Sequence, residues 1–481
     1  MLTIPPSHST FRSLLDASIQ AFSADQRSRL TKDPVLRSAL AKVRRLNLDP
    51  LSDILQPLYP STGRAALHQA EIFRSLFLMF HFKITSIDLW HQKLLSDPLL
   101  SALSGFFSRI PSVGSFYNFI TRLYNQPDTP KIQAADLNKK PDQKLKKGQK
   151  WENSPKNKVA SALESLSCDG YPQKDRVILN ILARLAVLPS ADLGLIDMDN
   201  FNFSGDGTAI HVHADSRGHS IKGDPDHRRY SDPDANIGWD SDLGSYFFGY
   251  HGYFCCVHST RYKTDLPVFL ELNQASVHDA VPGVSSLFGF RALFPQAKVK
   301  AVCFDSAHDN EATYAFIESI GAKPFIDPNV RSKRKTSSDQ EYLDPNGNMI
   351  CKAGIPMYNV GWDRTNQCTR FQCPCKIKKS GVEKCPLSDP CSSRPKGRII
   401  NYHPDSLRNK YLCLRHQDSW KSVYKNRTSC ERVNNRILND YRLHQTKVRG
   451  RKRLLIHILM GFINIHTDAW LKIDKPQVDI I

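Results

Sequence analysis

The chain has 481 residues, of which 40% are hydrophobic, 23% charged and 10% aromatic, a composition that excludes wholesale disorder and collagen-like repeats. At about 100–200 residues per domain this length accommodates two to four folding units. Lys and Arg number 66 against 47 Asp and Glu, leaving a formal charge of +19 and a pI near 9.4. Such an excess predicts a densely anionic partner, usually a phosphate backbone.

The apolar stretches 72–82 and 454–463 are about ten residues each, short of the roughly 20 that cross a bilayer, and residues 1–22 show no basic start followed by an apolar run. No membrane association is expected, and a cytoplasmic location is. Twelve cysteines in a long chain without a leader point to reduced thiols or a metal rather than disulfides.

From residue 11 to 124 apolar residues recur at helical spacing, as in Ile72, Ser75, Leu76, Met79 and Phe80, which predicts an all-helical N-terminal domain over 1–130. Its last part, Pro111-Ser-Val-Gly-Ser-Phe, reads as a turn leading into a helix with Ser115 near the cap and an aromatic face. The pattern suits a DNA-binding helix-turn-helix or, more commonly, a packing helix of a bundle. Residues 131–158 carry nine lysines against three acids and read as a basic linker. Helical periodicity returns over 159–188.

Beyond Pro189 the pattern changes to strands at 194–210, 246–258 and 266–272, a helix at 282–294, a strand at 299–305, a helix at 310–320 and a strand at 323–326. Three meandering strands followed by βα units predict an α/β mixed sheet of ribonuclease H-like arrangement. The core then comprises 159–326 and 421–475, interrupted by a basic, Cys-rich insertion at 327–420 that precedes the last acidic helix.

Asp206 stands between two glycines in Phe-Ser-Gly-Asp-Gly-Thr, inside an otherwise apolar strand, and Asp305 ends the apolar strand Val-Cys-Phe-Asp. Carboxyl ends of central strands open onto the usual ligand crevice. Tyr424, Arg427 and Glu431 are spaced by three and four and share one helix face. Taken singly these are ordinary features: Asp-Gly is a common turn, Asp after a strand a common cap, and an Arg-Glu pair a common surface contact. Together they supply three carboxylates suited to Mg²⁺ or Mn²⁺.

These motifs, with Ala275-Ser-Val-His-Asp, Phe304-Asp-Ser-Ala-His-Asp and the basic, apolar segment from Arg449, resemble the bacterial insertion-sequence transposases of the DDE type, in the group with a Tyr-Arg-Glu-Lys signature. The signature lysine is replaced by Leu438, so its DNA contact is absent or is made by Arg432, Arg436 or Arg442. The resemblance implies that Asp206, Asp305 and Glu431 are catalytic and hold two Mg²⁺ (or Mn²⁺) ions. It implies DNA contacts at Tyr424, Arg427, Arg432 and Arg436, and double-stranded DNA, both element ends and target, as the partner. A homodimer in the DNA complex and association with the nucleoid follow from the same likeness. The activity it implies is metal-dependent strand cleavage and strand transfer. The alternatives are a nuclease of the same fold that does not join, and a non-catalytic DNA-binding protein.

Within the insertion, Cys368, Cys373, Cys375, Cys385 and Cys391 fall in a Pro- and Lys-rich segment with little apolar material. Four of them would make a structural Zn²⁺ site that supplies folding energy; idle reduced thiols fit the spacing equally well. His211 and His213 read as strand residues or DNA contacts.

Overall fold

The computed structural model describes residues 2–3, 5–138, 154–329, 342–344, 346–382, 384–387, 391–392, 394–415 and 417–473. Most of the basic linker, 139–153, therefore lies outside the described residues.

The N-terminal region is helical, from His8–Ala21 to Val113–Tyr124. Side-chain caps begin its helices where the sequence supplies them: Ser7, Asp33, Ser86 and Asp97 accept from backbone N–H groups, and Ser23 forms a capping box with Gln26. In Gln69–His81 nearly every residue is buried, as expected of a helix surrounded by others. Val113–Tyr124 starts after Ser112, whose hydroxyl lies 3.3 Å from that of Ser115, and buries Phe116, Phe119, Ile120 and Leu123. Its aromatic face packs into the bundle.

The central sheet contains β1 (Phe201–His211), β2 (Asn236–Asp240), β3 (Ser245–Ser259), β4 (Thr264–Gln274), β5 (Val299–Phe304) and β6 (Lys323–Ile326). β3 pairs antiparallel with β1 along one edge and with β4 along the other, where β2 extends the ladder. β1 pairs parallel with β5, and β5 parallel with β6. The strand order is thus β4-β3-β1-β5-β6. Helices cover both faces. Phe290 of α1 (Ala280–Leu293) meets Phe201 and Phe203 at 4.7 and 5.4 Å, while Phe462 of the long α5 (Arg451–Ile473) meets Phe254 at 5.1 Å on the opposite side. Between them in sequence come α2 (Glu311–Ser319), α3 (Asp418–Tyr424) and α4 (Thr428–Asn435).

One group of strands escapes the sequence reading. Ile132–Ala134, at the start of the basic linker, pairs with Asp224–Arg229, which pairs with His219–Ile221. Charged strands such as Asp-Pro-Asp-His-Arg-Arg offer no apolar alternation to detect.

α5 is longer than its ten-residue apolar run suggested. It is long and apolar enough to cross a membrane, yet 89% of its most apolar stretch is buried within the protein. The polar residues within it find partners inside the protein, apart from the buried Nδ1 of His457. His457 bonds the Tyr441 carbonyl and His466 the Pro267 carbonyl, both at 2.7 Å, while Asn464 donates to the Phe77 carbonyl at 3.1 Å and accepts from Lys42 at 3.0 Å. Lys42 also pairs with Asp468 at 2.6 Å. One apolar cluster accordingly runs from the N-terminal helices through α5 into the central sheet.

The insertion has more apolar substance than its composition suggested. Leu343, Met349, Met357, Phe371, Leu412 and Cys413 form a separate small core. Around it lie a three-stranded sheet (Tyr358–Asp363, Cys368–Gln372, Ile399–Tyr402) and the helix Leu407–Leu414. The helix is anchored to α2 by Arg408 on Asp309 (2.8 Å), the Leu407 amide on Glu311 (2.9 Å) and Lys410 on Glu318 (2.7 Å).

Candidate active site

Sheet register brings the first two acids together. Ser204 of β1 lies opposite Cys303 of β5. Two residues further along each strand, on the same face, Asp206 and Asp305 leave neighbouring parallel strands side by side. Asp206 is mostly buried, its side chain 18% exposed, and its carboxyl is pushed up to about 7. Burial is the main cause, opposed by Arg427 and reinforced by Asp305, Asp279 and Glu431. A carboxylate so placed calls for a cation.

Asp305 caps the turn Ser306–His308, accepting from the Ala307 amide at 3.1 Å and from His308 Nδ1 at 2.6 Å. Burial raises its carboxyl, but the hydrogen bond and charge of His308 outweigh that and hold it below the usual carboxylate range. His308 is itself buried, stacked on Phe304 at 4.3 Å, with Nε2 2.9 Å from the Tyr253 hydroxyl. Both ring nitrogens are thus engaged, Nδ1 by Asp305 and Nε2 by Tyr253, and the ring is fixed from both sides.

This packing explains the glycines around Asp206. A Cβ at Gly205 would lie 2.7 Å from the Tyr253 hydroxyl. One at Gly207 would lie 2.3 Å from His251 Nε2 and 2.8 Å from Asp279 Oδ1, the two halves of an ion pair at 2.5 Å. Each glycine therefore makes room for one His-carboxylate unit. Neither unit was anticipated as a site feature, although both acids stand in quoted His-Asp or Asp-x-x-His motifs; His308 is local to Asp305, but His251 and the Tyr253 that braces His308 come from a strand distant in sequence. Burial alone would raise Asp279, but His251, His308 and His278 keep it below its ordinary value.

The third acid arrives on the helical segment after the insertion. α3 ends at Tyr424, a tighter turn spans Lys425–Arg427, and α4 follows. Tyr424 stacks on Trp420 at 4.6 Å, and the Arg427 guanidinium lies 5.9 Å from the Tyr424 ring. Arg427 pairs with Glu431 and reaches to 3.7 Å from Asp206, while Asn434 donates to Asp206 at 3.3 Å. Arg432 is held by Asp265 at 2.5 and 2.9 Å, and Arg436 by Asp468 at 2.7 Å. Arg442 is exposed, and Leu438 lines a cleft of about 570 Å³ that also takes in Gly207, His211, His213, His251 and Asp279.

Asp206 and Asp305, hard oxygen donors on one sheet face, fit a divalent ion. Among the described residues, however, no three His, Cys, Asp or Glu side chains converge as a ready metal site, the insertion's cysteines included, and Glu431 is paired with Arg427. In the insertion, Cys368 and Cys373 sit at opposite ends of the strand Cys368–Gln372, roughly 16 Å apart at strand rise. Cys368, buried beside Asp363 and Arg370, therefore cannot share an ion with the others. Burial, then Cys373 and Cys385, push the Cys375 and Cys391 thiols up, with Cys351 adding to Cys391. Cys351, overlooked in the sequence because it lies upstream of the cluster, is thus the fifth neighbour.

Residues 350–466 match the family model described as Transposase DDE domain. The matched segment runs from the insertion through Arg427 and Glu431 into α5, and supports a DDE transposase family: enzymes that act on DNA in transposition and generally use divalent metal ions. No curated protein and no solved structure matches the chain.

Proposed function

We propose that the protein is an insertion-sequence DDE transposase, binding element-end DNA and carrying out metal-dependent strand cleavage and strand transfer at Asp206, Asp305 and Glu431. The observation that carries this reading is the juxtaposition of Asp206 and Asp305 on neighbouring parallel strands, with the Glu431 helix packed against β1 and the turn Lys425–Arg427 before it against both β1 and β5. The strand order β4-β3-β1-β5-β6, with helices on both faces, supports a ribonuclease H-like core.

When bound, two Mg²⁺ or Mn²⁺ ions would activate water and stabilise the leaving 3′ oxygen. The chain's own residues do the rest. Asp206 and Asp305 fix the donors in place, and His308, clamped by Tyr253, keeps the Asp305 carboxylate ionised and oriented. Arg427 offers a planar guanidinium to the scissile phosphate. A freed 3′ hydroxyl in the position of the attacking water would then attack a target phosphodiester, forming a new P–O bond as the target strand's own 3′ oxygen leaves. The protein acts on double-stranded DNA as a homodimer, in the cytoplasm at the nucleoid, and the helical N-terminal domain contributes to DNA binding. Cys373, Cys375, Cys385 and Cys391, with Cys351 beside them, hold one structural Zn²⁺.

The test is Mg²⁺-dependent cleavage and joining of DNA carrying the element's ends. Asp206→Asn, Asp305→Asn and Glu431→Gln should each abolish both steps while DNA binding persists. Undiminished cleavage by Asp305→Asn would refute the reading.

A further inference from the structure

The position of Arg427 raises a question about how the acids are held before metal arrives. Four acidic residues, Asp206, Asp279, Asp305 and Glu431, act on one another within the site. Asp279 and Asp305 each have a histidine partner. Asp206 and Glu431 have Arg427 between them: its guanidinium pairs with Glu431 and lies 3.7 Å from Asp206 Oδ1. The arginine is fixed for this position. Its side chain is 19% exposed, and Tyr424 stands beside it. Its Nε is buried without a hydrogen-bond partner, so the charge is not neutralised by any third acceptor at that atom.

We propose that Arg427 is a resident substitute for the metal cation. In the metal-free protein it occupies the space between Asp206 and Glu431, screens their repulsion and keeps Glu431 away from the other acids. Metal binding then requires an exchange in which Glu431 leaves the guanidinium for the ion, and the released guanidinium becomes available to a DNA phosphate. Arg427 is in this account a positioning residue whose two roles are successive, so metal loading and phosphate capture favour each other. The proposal rests on the metal-carboxylate reading given above and goes beyond it in one respect: the arginine competes with the metal instead of assisting it.

Competition has a sign that an ordinary supporting role lacks. The measurement is Mn²⁺ binding to the full-length protein without DNA, followed by the electron paramagnetic resonance of free Mn²⁺. Arg427→Met, which keeps the length of the side chain and removes its charge, should bind Mn²⁺ about tenfold more tightly, the effect of removing one unit charge a few ångströms away in partly hydrated surroundings. The same variant should lose cleavage. Arg427→Lys, a point charge unable to span both acids, should fall between it and the wild type. Unchanged or weaker Mn²⁺ binding by Arg427→Met, with a melting profile like that of the wild type, overturns the proposal. Should Arg427→Met unfold, Arg427→Lys decides alone, because affinity at or below the wild-type value contradicts competition. Asp206→Asn separates the two layers: if it binds Mn²⁺ as the wild type does, the metal-carboxylate reading falls and the competition with it.

Discussion

The central sheet and the Cys-rich insertion keep their polar groups in place by different means. In the sheet, Asp206 and Asp305 issue from strands buried on both faces, and each surrounding polar group is braced by a second one: His308 by Tyr253, Asp279 by His251. In the insertion, among the described residues, the apolar cluster is a small one of six buried side chains, and Cys373, Cys375, Cys385 and Cys391 lie outside its strands, in short turns and connections. A dense apolar frame can hold charges that repel one another, whereas the insertion's small core leaves these thiols to its turns.

The strongest test of this contrast is catalytic. Asp305→Asn keeps the frame and removes a charge, so cleavage should fall by on the order of 10²–10³-fold or more with the melting temperature nearly unchanged. A joint loss of activity and fold would mean that the acid is part of the scaffold. Next come two matched cavities. Phe290→Ala in the sheet layer and Phe371→Ala in the insertion should each cost about 3–5 kcal/mol locally. The first should lower the melting temperature of the whole protein, and the second should open residues 342–414 to protease while leaving the central sheet intact. Equal global melting would show that the two cores are one cooperative unit.

A smaller effect concerns pH. Because the Asp206 carboxyl is raised to about 7 in the folded protein, its contribution to stability is complete below the unfolded value near 4 and is lost as pH rises through about 7. Asp206→Asn should therefore stabilise the metal-free protein at pH 8 by on the order of 2–4 kcal/mol and leave it unchanged at pH 4. Thermal melts at the two pH values check the sign. Sharpest for the insertion, and without effect on the sheet, is metal content. Protein purified under reducing conditions should retain about one Zn²⁺ per chain, which Cys373→Ser with Cys385→Ser removes and Cys368→Ser does not.

Much of the sheet was legible in the sequence because its strands are apolar and its helices periodic; five of the six central strands and both intervening helices fall where the pattern put them. β2 and the charged strands around Asp224 were not legible, since their stability comes from pairing and not from a buried face. The acids were visible as residues of the right type at strand ends. Their bracing was not, because Tyr253 and His251 sit 55 and 28 residues from His308 and Asp279 respectively and meet them only through sheet register. The glycines beside Asp206 could be read as a motif, but the reason for them is steric and lies across the sheet. Which of the five cysteines stands apart was not legible either: Cys368 is near Cys373 in sequence but separated from it along an extended strand.

The placement of α5 has a consequence for how the protein is made. Its residues, 451–473, are synthesised after those of the helix Gln69–His81 against which they pack, a separation of about 370 residues. At about 5–20 residues per second, the N-terminal helices emerge from the ribosome roughly 20 to 70 s before their central partner exists. During that interval Phe73, Phe77 and Phe80, buried in the finished protein, have only incomplete cover. The nascent chain should therefore depend on chaperones for solubility, and a ribosome stalled before codon 451 should display an N-terminal half that is helical but sticky, unable to complete its core until the last helix is translated.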